Sequence, residues 1–325
     1  MPPPGAPSLA SVLMSGHAHR TGYALIIGAT LFWGTSAVAA RNMTRQLPPL
    51  TLAQLAAAGS WFVLTLALLA WRPALLRVHP RDIWRFACLG VFGFAAGSGC
   101  INTAIHLTNA PTAVVIQYVA PALVLLWNWL RGTERLSPPK ILAVAACMAG
   151  CAVTSGLLNT GVRFHSGGIA AAIGAAVAFA FIAVFSRTFT GAYHPAAFSA
   201  HTFLPTAITL ALLPTGRDWT PFARHPELIW QMALFIVFLA VAPTVLFFWG
   251  VPKVSAVAVT ILCSCEIVVT ALLSWWWLGE PMLWVQAGGA ALIAAAIVLI
   301  EVARRDDHRA GRQTAAARAA PLPPE

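Results

Sequence analysis

His79-Pro80-Arg81-Asp82-Ile83-Trp84 returns later in the chain as His225-Pro226-Glu227-Leu228-Ile229-Trp230. The spacing is 146 residues, the difference between Arg187 and Arg41, and this single offset carries one half of the chain onto the other. Gly22 falls on Gly168, Pro49 on Pro195, Trp129 on Trp275 and Glu134 on Glu280. Ala and Leu match by chance in so apolar a sequence, but His-Pro-x-x-Ile-Trp aligned with Arg, Trp and Glu at one ungapped spacing does not. The chain is therefore a duplicated unit.

Composition identifies the solvent for which the unit is built. Of 325 residues, 59% are apolar and 9% are charged, more apolar surface than a soluble domain can hide. A helix needs about 20 apolar residues to cross a hydrocarbon layer of about 30 Å, and in lipid it satisfies its own backbone amides. Ten such stretches are predicted. The first five are Gly22 to Ala40, Leu50 to Trp71, Ile83 to His106, Pro111 to Leu130 and Pro138 to Leu158; the second five are Gly168 to Ser186, Ala196 to Pro214, Leu228 to Gly250, Val254 to Leu278 and Pro281 to Val302. The expected fold class is all-α, a polytopic membrane protein whose ten transmembrane helices form two five-helix repeats, 22–160 and 168–302. Disordered cytoplasmic segments are expected at 1–21 and 303–325. Five is odd, so the second repeat must enter the bilayer upside down relative to the first. Inverted repeats can exchange conformations across the membrane plane and open a shared site to one side, then the other.

Charge placement follows the same scheme. With the N-terminus in the cytoplasm, fifteen of the twenty Lys and Arg residues fall on inner segments, among them Arg72, Arg77, Arg81 and Arg85. The outer segments keep Arg41, Arg45, Arg163, Arg217 and Arg224. This bias places both termini in the cytoplasm. Loops facing anionic headgroups explain the formal net charge of +10, so no nucleic acid partner is expected. Nor is a signal peptide, because the first basic residue, Arg20, follows a stretch too polar to be a signal core.

Polar side chains within the spans are few, and Glu266 stands out, near the middle of its span with about twelve residues on either side. A lone carboxylate at that depth is costly to insert, so it must face the bundle interior, where its expected role is proton loading or cation binding, the alternative being hydrogen bonds to neighbouring helix ends that hold the bundle together. Under the repeat offset Glu266 maps onto Ala120, Gln117 and Tyr118 map onto Cys263 and Ser264, and Asn102 maps onto Phe248. The halves thus differ in polarity at one depth, as an asymmetric ligand would require. Trp33 with its counterpart Phe179, and Phe248 beside Trp249, can wall such a site, and His201 is a further polar candidate. The expected substrate-binding set is Trp33, Asn102, Gln117, Tyr118, Phe179, His201, Phe248 and Glu266, with Glu266 also the proton or ion coupling group. Trp275-Trp276-Trp277 reads as a headgroup-level anchor.

Small residues at four-residue spacing, Ala143, Cys147 and Cys151 on the fifth span and Ala287, Ala291 and Ala295 on the tenth, predict close helix packing. Those helices should clamp the halves or form a homodimer without lining the site. The six cysteines read as small packing residues, and no metal or cofactor is expected. No Gly-x-x-x-x-Gly-Lys motif appears, so a gradient or simple facilitation would supply the driving force. The spans hold no cluster of acids, bases or ligands of the kind an intramembrane enzyme needs. A small-molecule substrate and the lipid bilayer are the expected partners of a transporter. A passive channel or a non-transporting scaffold or sensor is the alternative.

Several short motifs occur in order. Leu31-Phe32-Trp33-Gly34-Thr35-Ser36 lies in the first span, Ala110-Pro111-Thr112-Ala113 opens the fourth, and Val119-Ala120-Pro121-Ala122 lies within it; Glu134 and Glu280 follow the fourth and ninth spans. With these motifs, the sequence from about Gly22 to Val302 resembles the EamA-type transporters of the drug/metabolite transporter superfamily. The resemblance implies a ten-helix inner-membrane carrier, often an exporter of amino acids or other small metabolites, with a central cavity between its halves. Members often carry Glu-Pro where this chain has Glu266-Ile267. The related small multidrug pumps place an essential glutamate in the first helix, where this chain has no acid, so their antiport chemistry does not carry over. Glu134 and Glu280 are expected to be loop or cap residues.

Overall fold

A computed structural model describes residues 9–157, 161, 164–213, 220–279 and 283–319. Glu280, Arg163 and Arg217 lie outside the described residues. Among those described, all regular structure is helical: α1 (Leu9–Met43), α2 (Pro49–Trp71), α3 (Pro80–Leu107), α4 (Ala110–Leu130), α5 (Pro138–Thr154), α6 (Ser166–Thr188), α7 (Pro195–Leu212), α8 (Glu227–Lys253), α9 (Ala256–Trp277) and α10 (Trp284–Ala319).

Eight of these, α1 and α10 included over Ala18–Met43 and Trp284–Asp306, are long and apolar enough to cross a membrane. The ten predicted spans thus resolve into eight long apolar helices, the shorter apolar α5, and α7. The last carries more hydroxyls than its neighbours, and each is satisfied within the helix. Ser199, Thr202, Thr206 and Thr209 donate to the carbonyls four residues back at 2.8–2.9 Å, a pattern that hides the polar groups and favours a bend. At the ends, α1 is helical from Leu9 and α10 continues through Ala319. Extending an existing helix needs no new nucleus, and the Ala- and Arg-rich sequence after Val302 is made of strong helix formers.

The duplication is visible in the packing. α1 lies on α8 and α6 lies on α3, which are equivalent pairs under the offset, while α2 packs on its counterpart α7 and α5 on its counterpart α10. The glycines at these crossings match as well. A Cβ on Gly22 would sit 2.8 Å from Lys253 Cβ near the end of α8, and one on Gly168 would sit 3.0 Å from Leu107 Cβ at the end of α3. Gly59 of α2 makes room for Ile236 of α8, and Gly90 of α3 makes room for the ring of Pro205 in α7, 2.5 Å from a Cβ there. Ile236 and Gly90 are equivalent positions, as are Gly59 and Pro205.

Helix irregularities repeat too. α3 is π-helical over Leu89–Ala95 and α8 over Phe235–Val241, the same stretch under the offset. α4 breaks after Gln117 and resumes at Ala120, and α9 breaks after Cys263 and resumes at Cys265. The interruptions thus occupy matching positions of the two repeats. Around them, the largest buried cluster gathers Phe86, Phe189, Phe198, Phe247 and Phe248. Outside, Leu31, Phe62, Leu66, Trp127 and Trp276 are exposed, as suits a surface facing lipid.

Candidate central cavity

The two breaks meet in the middle of the bundle. In an unbroken helix the Ile267 N–H would bond to the Cys263 carbonyl; here it reaches Ser264 at 3.1 Å, so the break removes that carbonyl's helical partner. Tyr118, at the break of α4, supplies another: its hydroxyl donates to the Cys263 carbonyl at 3.1 Å. A freed backbone acceptor inside a bundle needs such a partner.

A cavity of about 510 Å³ opens from this point. Glu266 stands at its deep end, in the first turn of the resumed segment of α9. There the partial positive charge of a helix N-terminus favours an anion, and Tyr118 lines the same cavity. Glu266, Thr270 and Ser274 follow one another at four-residue spacing along α9, and Trp33, Ala37 and Arg41 do the same along α1. The two rows are held together by a close crossing, since a Cβ on Gly34 would lie 3.0 Å from the Glu266 carbonyl oxygen. At 1.5 Å per residue, the row on α1 rises about 12 Å from Trp33 to Arg41.

The cavity opens at the end of the bundle where α1 finishes. Ala110 and Pro111 at the start of α4, Ser155 just after α5, Trp275 near the end of α9 and Gln286 in the first turn of α10 line it there. Ser274 and Thr154 bring buried hydroxyls with no hydrogen-bond partner, and Gln286 Nε2 donates to the Thr154 carbonyl at 3.3 Å. Aromatic rings form the walls: Trp33 packs on Phe247 at 5.3 Å, and Tyr118 meets Phe179 edge-on at 6.2 Å. A second cavity of about 340 Å³ shares Trp33, Phe94 and Ser98 with the first and spreads between α2, α7 and α8.

The other end is closed. The first segment of α9, Ala256–Cys263, is buried at every residue and packs on the second segment of α4, Ala120–Leu130. Their counterparts, Cys265–Leu278 and Ala110–Gln117, stand apart with the cavity between them. One pair of half-helices is shut and its equivalent pair is open.

Of the residues expected from sequence, the structure brings Trp33, Gln117, Tyr118, Phe179 and Glu266 together around the main cavity. Asn102 lines the second cavity, with its amide donating to the Ser98 carbonyl at 2.8 Å. His201 and Phe248 lie elsewhere. The His201 ring is bound to the Leu76 carbonyl at 3.1 Å and packs 5.4 Å from Phe86, so its polar edge is already engaged in joining α7 to the segment before α3. Phe248 is 1% exposed, its ring packed at an angle against Phe94, Phe198 and Phe247; its neighbour Phe247 takes the cavity wall instead. Nor do α5 and α10 stay clear of the site, since Thr154, Ser155 and Gln286 reach its mouth. Their mutual packing is close as expected, but on α10 it uses Gly289, Ile293, Ala296 and Ile300, while Ala291 and Ala295 face outward. Glu134 accepts from Asn128 at 3.0 Å and pairs with the buried Lys140 at 3.0 Å, in the connection between α4 and α5. Among the described residues no group of three His, Cys, Asp or Glu is arranged to hold a metal ion.

Arg41, Ser98, Thr154, Ser155, Thr270, Ser274 and Gln286 also line the cavity with polar side chains that do not belong to the expected set. Arg41 was available, because it lies on the same helical face as Trp33, eight residues away.

The sequence profile of the EamA-like transporter family matches residues 20–156 and again 166–302. Twenty-eight chains of solved structures are similar in fold. One is a protein crystal structure with 22% sequence identity and a TM-score of 0.74, and the similarity covers 88% of this chain and 98% of that one. No curated protein matches the sequence.

Proposed function

The chain belongs to the EamA-like transporter family, and from that membership we propose that it is a secondary transporter of a small organic metabolite, an amino acid or related compound, which it exports by alternating access. In this reading all ten helices cross the inner membrane, α5 and α7 included. The repeats are inverted and both termini are cytoplasmic, as the distribution of Arg and Lys favours. The cavity then faces outward, and Glu266 couples transport to a proton or another cation.

The observation that carries this reading is the unequal state of the equivalent half-helices. A permanent pore would have both pairs apart, and a scaffold would have no reason to hold a polar cavity at the meeting point of two breaks. The cavity offers a carboxylate at its floor and a guanidinium at its mouth, with hydroxyls and an amide between, a donor and acceptor set suited to a small zwitterion. The absence of a nucleotide motif in the sequence fits a gradient as the driving force.

The test is flux in proteoliposomes, with candidate amino acids trapped on one side and a proton gradient imposed. The expected result is saturable flux that trans substrate accelerates, because a loaded carrier returns faster than an empty one. Flux that stays linear with concentration and ignores trans substrate would point to a channel instead.

A further inference from the structure

The Tyr118 hydroxyl carries one proton, donates it to one acceptor and lies near a second on the same cavity. One is the Cys263 carbonyl, 3.1 Å away, the last residue of the closed half-helix Ala256–Cys263. The other is the carboxylate of Glu266, three residues further along α9. The first acceptor reports the position of the closed gate, and the second stands on the cavity floor where a ligand or proton would bind.

We propose that Tyr118 is the positioning residue that couples the Glu266 carboxylate to the gate formed by Ala256–Cys263. The proposal rests on the transport reading and extends it to a particular hydrogen bond. While the hydroxyl donates to Cys263, it ties the break of α4 to the break of α9 and holds Ala256–Cys263 against Ala120–Leu130. An ionised, unoccupied Glu266 is the stronger acceptor, because hydrogen bonds to a charged group are about twice as strong as neutral ones. It draws the hydroxyl away and leaves the Cys263 carbonyl short of a partner, which loosens the closed end. When Glu266 takes up a proton or a cationic group, it competes less well and the hydroxyl returns to Cys263.

The backbone makes this competition consequential. Ile267 cannot satisfy the Cys263 carbonyl, since its N–H is already used by Ser264, so the bond from Tyr118 is not redundant. Tyr118 is 5% exposed and its ring is held edge-on against Phe179, which fixes the plane in which the hydroxyl lies. The titratable groups nearby are Cys147 and Cys151 of α5 and Cys263 and Cys265 of α9, with Arg41 further up the cavity. None of the cysteines matches a carboxylate as an acceptor.

Amide hydrogen exchange of the full-length protein in lipid nanodiscs tests this without any need to know the substrate. Tyr118→Phe should speed exchange in Ala256–Cys263 by about fivefold, the equilibrium value of one hydrogen bond, and leave Pro138–Thr154 unchanged. Glu266→Gln, a neutral mimic of the proton-loaded state, should slow exchange in Ala256–Cys263 when Tyr118 is present and have no effect when it is Phe. That dependence separates a coupling role from a merely structural one. Additive effects in the double variant would overturn the proposal, as would an Ala256–Cys263 segment indifferent to Tyr118→Phe. Should Tyr118→Phe fail to fold, Glu266→Gln alone decides, because unchanged exchange there is also contradictory. Coupling without flux in proteoliposomes would sink the transport reading and leave the coupling intact; flux with additive effects would do the reverse.

Discussion

Glu266→Gln is expected to lower gradient-driven flux about 100-fold, near the upper end of what a coupling free energy between two sites delivers. It should also abolish the dependence of the remaining flux on the proton gradient. The magnitude follows from position. Among the described residues lining the cavity, Glu266 is the one carboxylate. The structure places the acids Asp82, Glu134, Glu227 and Glu301 toward the ends of the bundle, engaged with Arg85, Lys140, His225 and Arg304. Gln keeps the size and hydrogen-bonding reach of Glu but cannot take up or release a proton, so a purely steric role would survive the exchange. Flux that is undiminished and equally dependent on pH would remove Glu266 from the mechanism.

The second large effect concerns neighbouring glycines. Gly289→Ala should destabilise the protein by about 1–3 kcal/mol, the range for overpacking a filled contact, whereas Gly288→Ala should be neutral or slightly stabilising through helix propensity. A Cβ on Gly289 would lie 2.7 Å from the Thr154 backbone nitrogen and 2.9 Å from the Gly150 carbonyl oxygen. Backbone atoms cannot step aside as a side chain tip can, so α5 and α10 would have to separate. A Cβ on Gly288 meets nothing within 4 Å. Thermal unfolding in detergent distinguishes the two, and equal midpoints would show that the α5–α10 crossing does not hold the halves together. The same substitution should disturb transport, because Thr154 lines the cavity mouth.

What the sequence revealed depended on whether the relevant physics leaves a residue-level trace. Hydrophobic length and the 146-residue offset gave the repeat units directly, because burial in lipid constrains nearly every position of a span. Glu266 was legible for the converse reason, a charge where apolar residues are the rule. The break in α9 and the π-helical stretches of α3 and α8 were not legible, whereas the α4 break has a trace in Pro121, which has no N–H to bond the Gln117 carbonyl. Each is a local change of hydrogen-bond partner within an apolar run, and at Cys263-Ser264-Cys265 neither a Gly nor a Pro announces it. His201 and Phe248 illustrate a second limit. Polarity and aromaticity identify residues that want a partner, but only the packing shows that His201 has found the Leu76 carbonyl and that Phe248 has turned into the core. Arg41 shows a third: near the end of a span, an arginine reads as a loop charge until the opposite wall of the cavity is in place.

The central claim is that two equivalent units face opposite ways across one bilayer, and single-cysteine labelling tests it most directly. Arg45 and Gly191 are equivalent under the offset and both are exposed, so Arg45→Cys and Gly191→Cys, in a background without the six natural cysteines, report on the two repeats at the same place. In intact cells a membrane-impermeant thiol reagent should label Arg45→Cys and should reach Gly191→Cys only after the membrane is permeabilised. Labelling of both positions from the same side would contradict the inverted arrangement and the alternating-access account built on it.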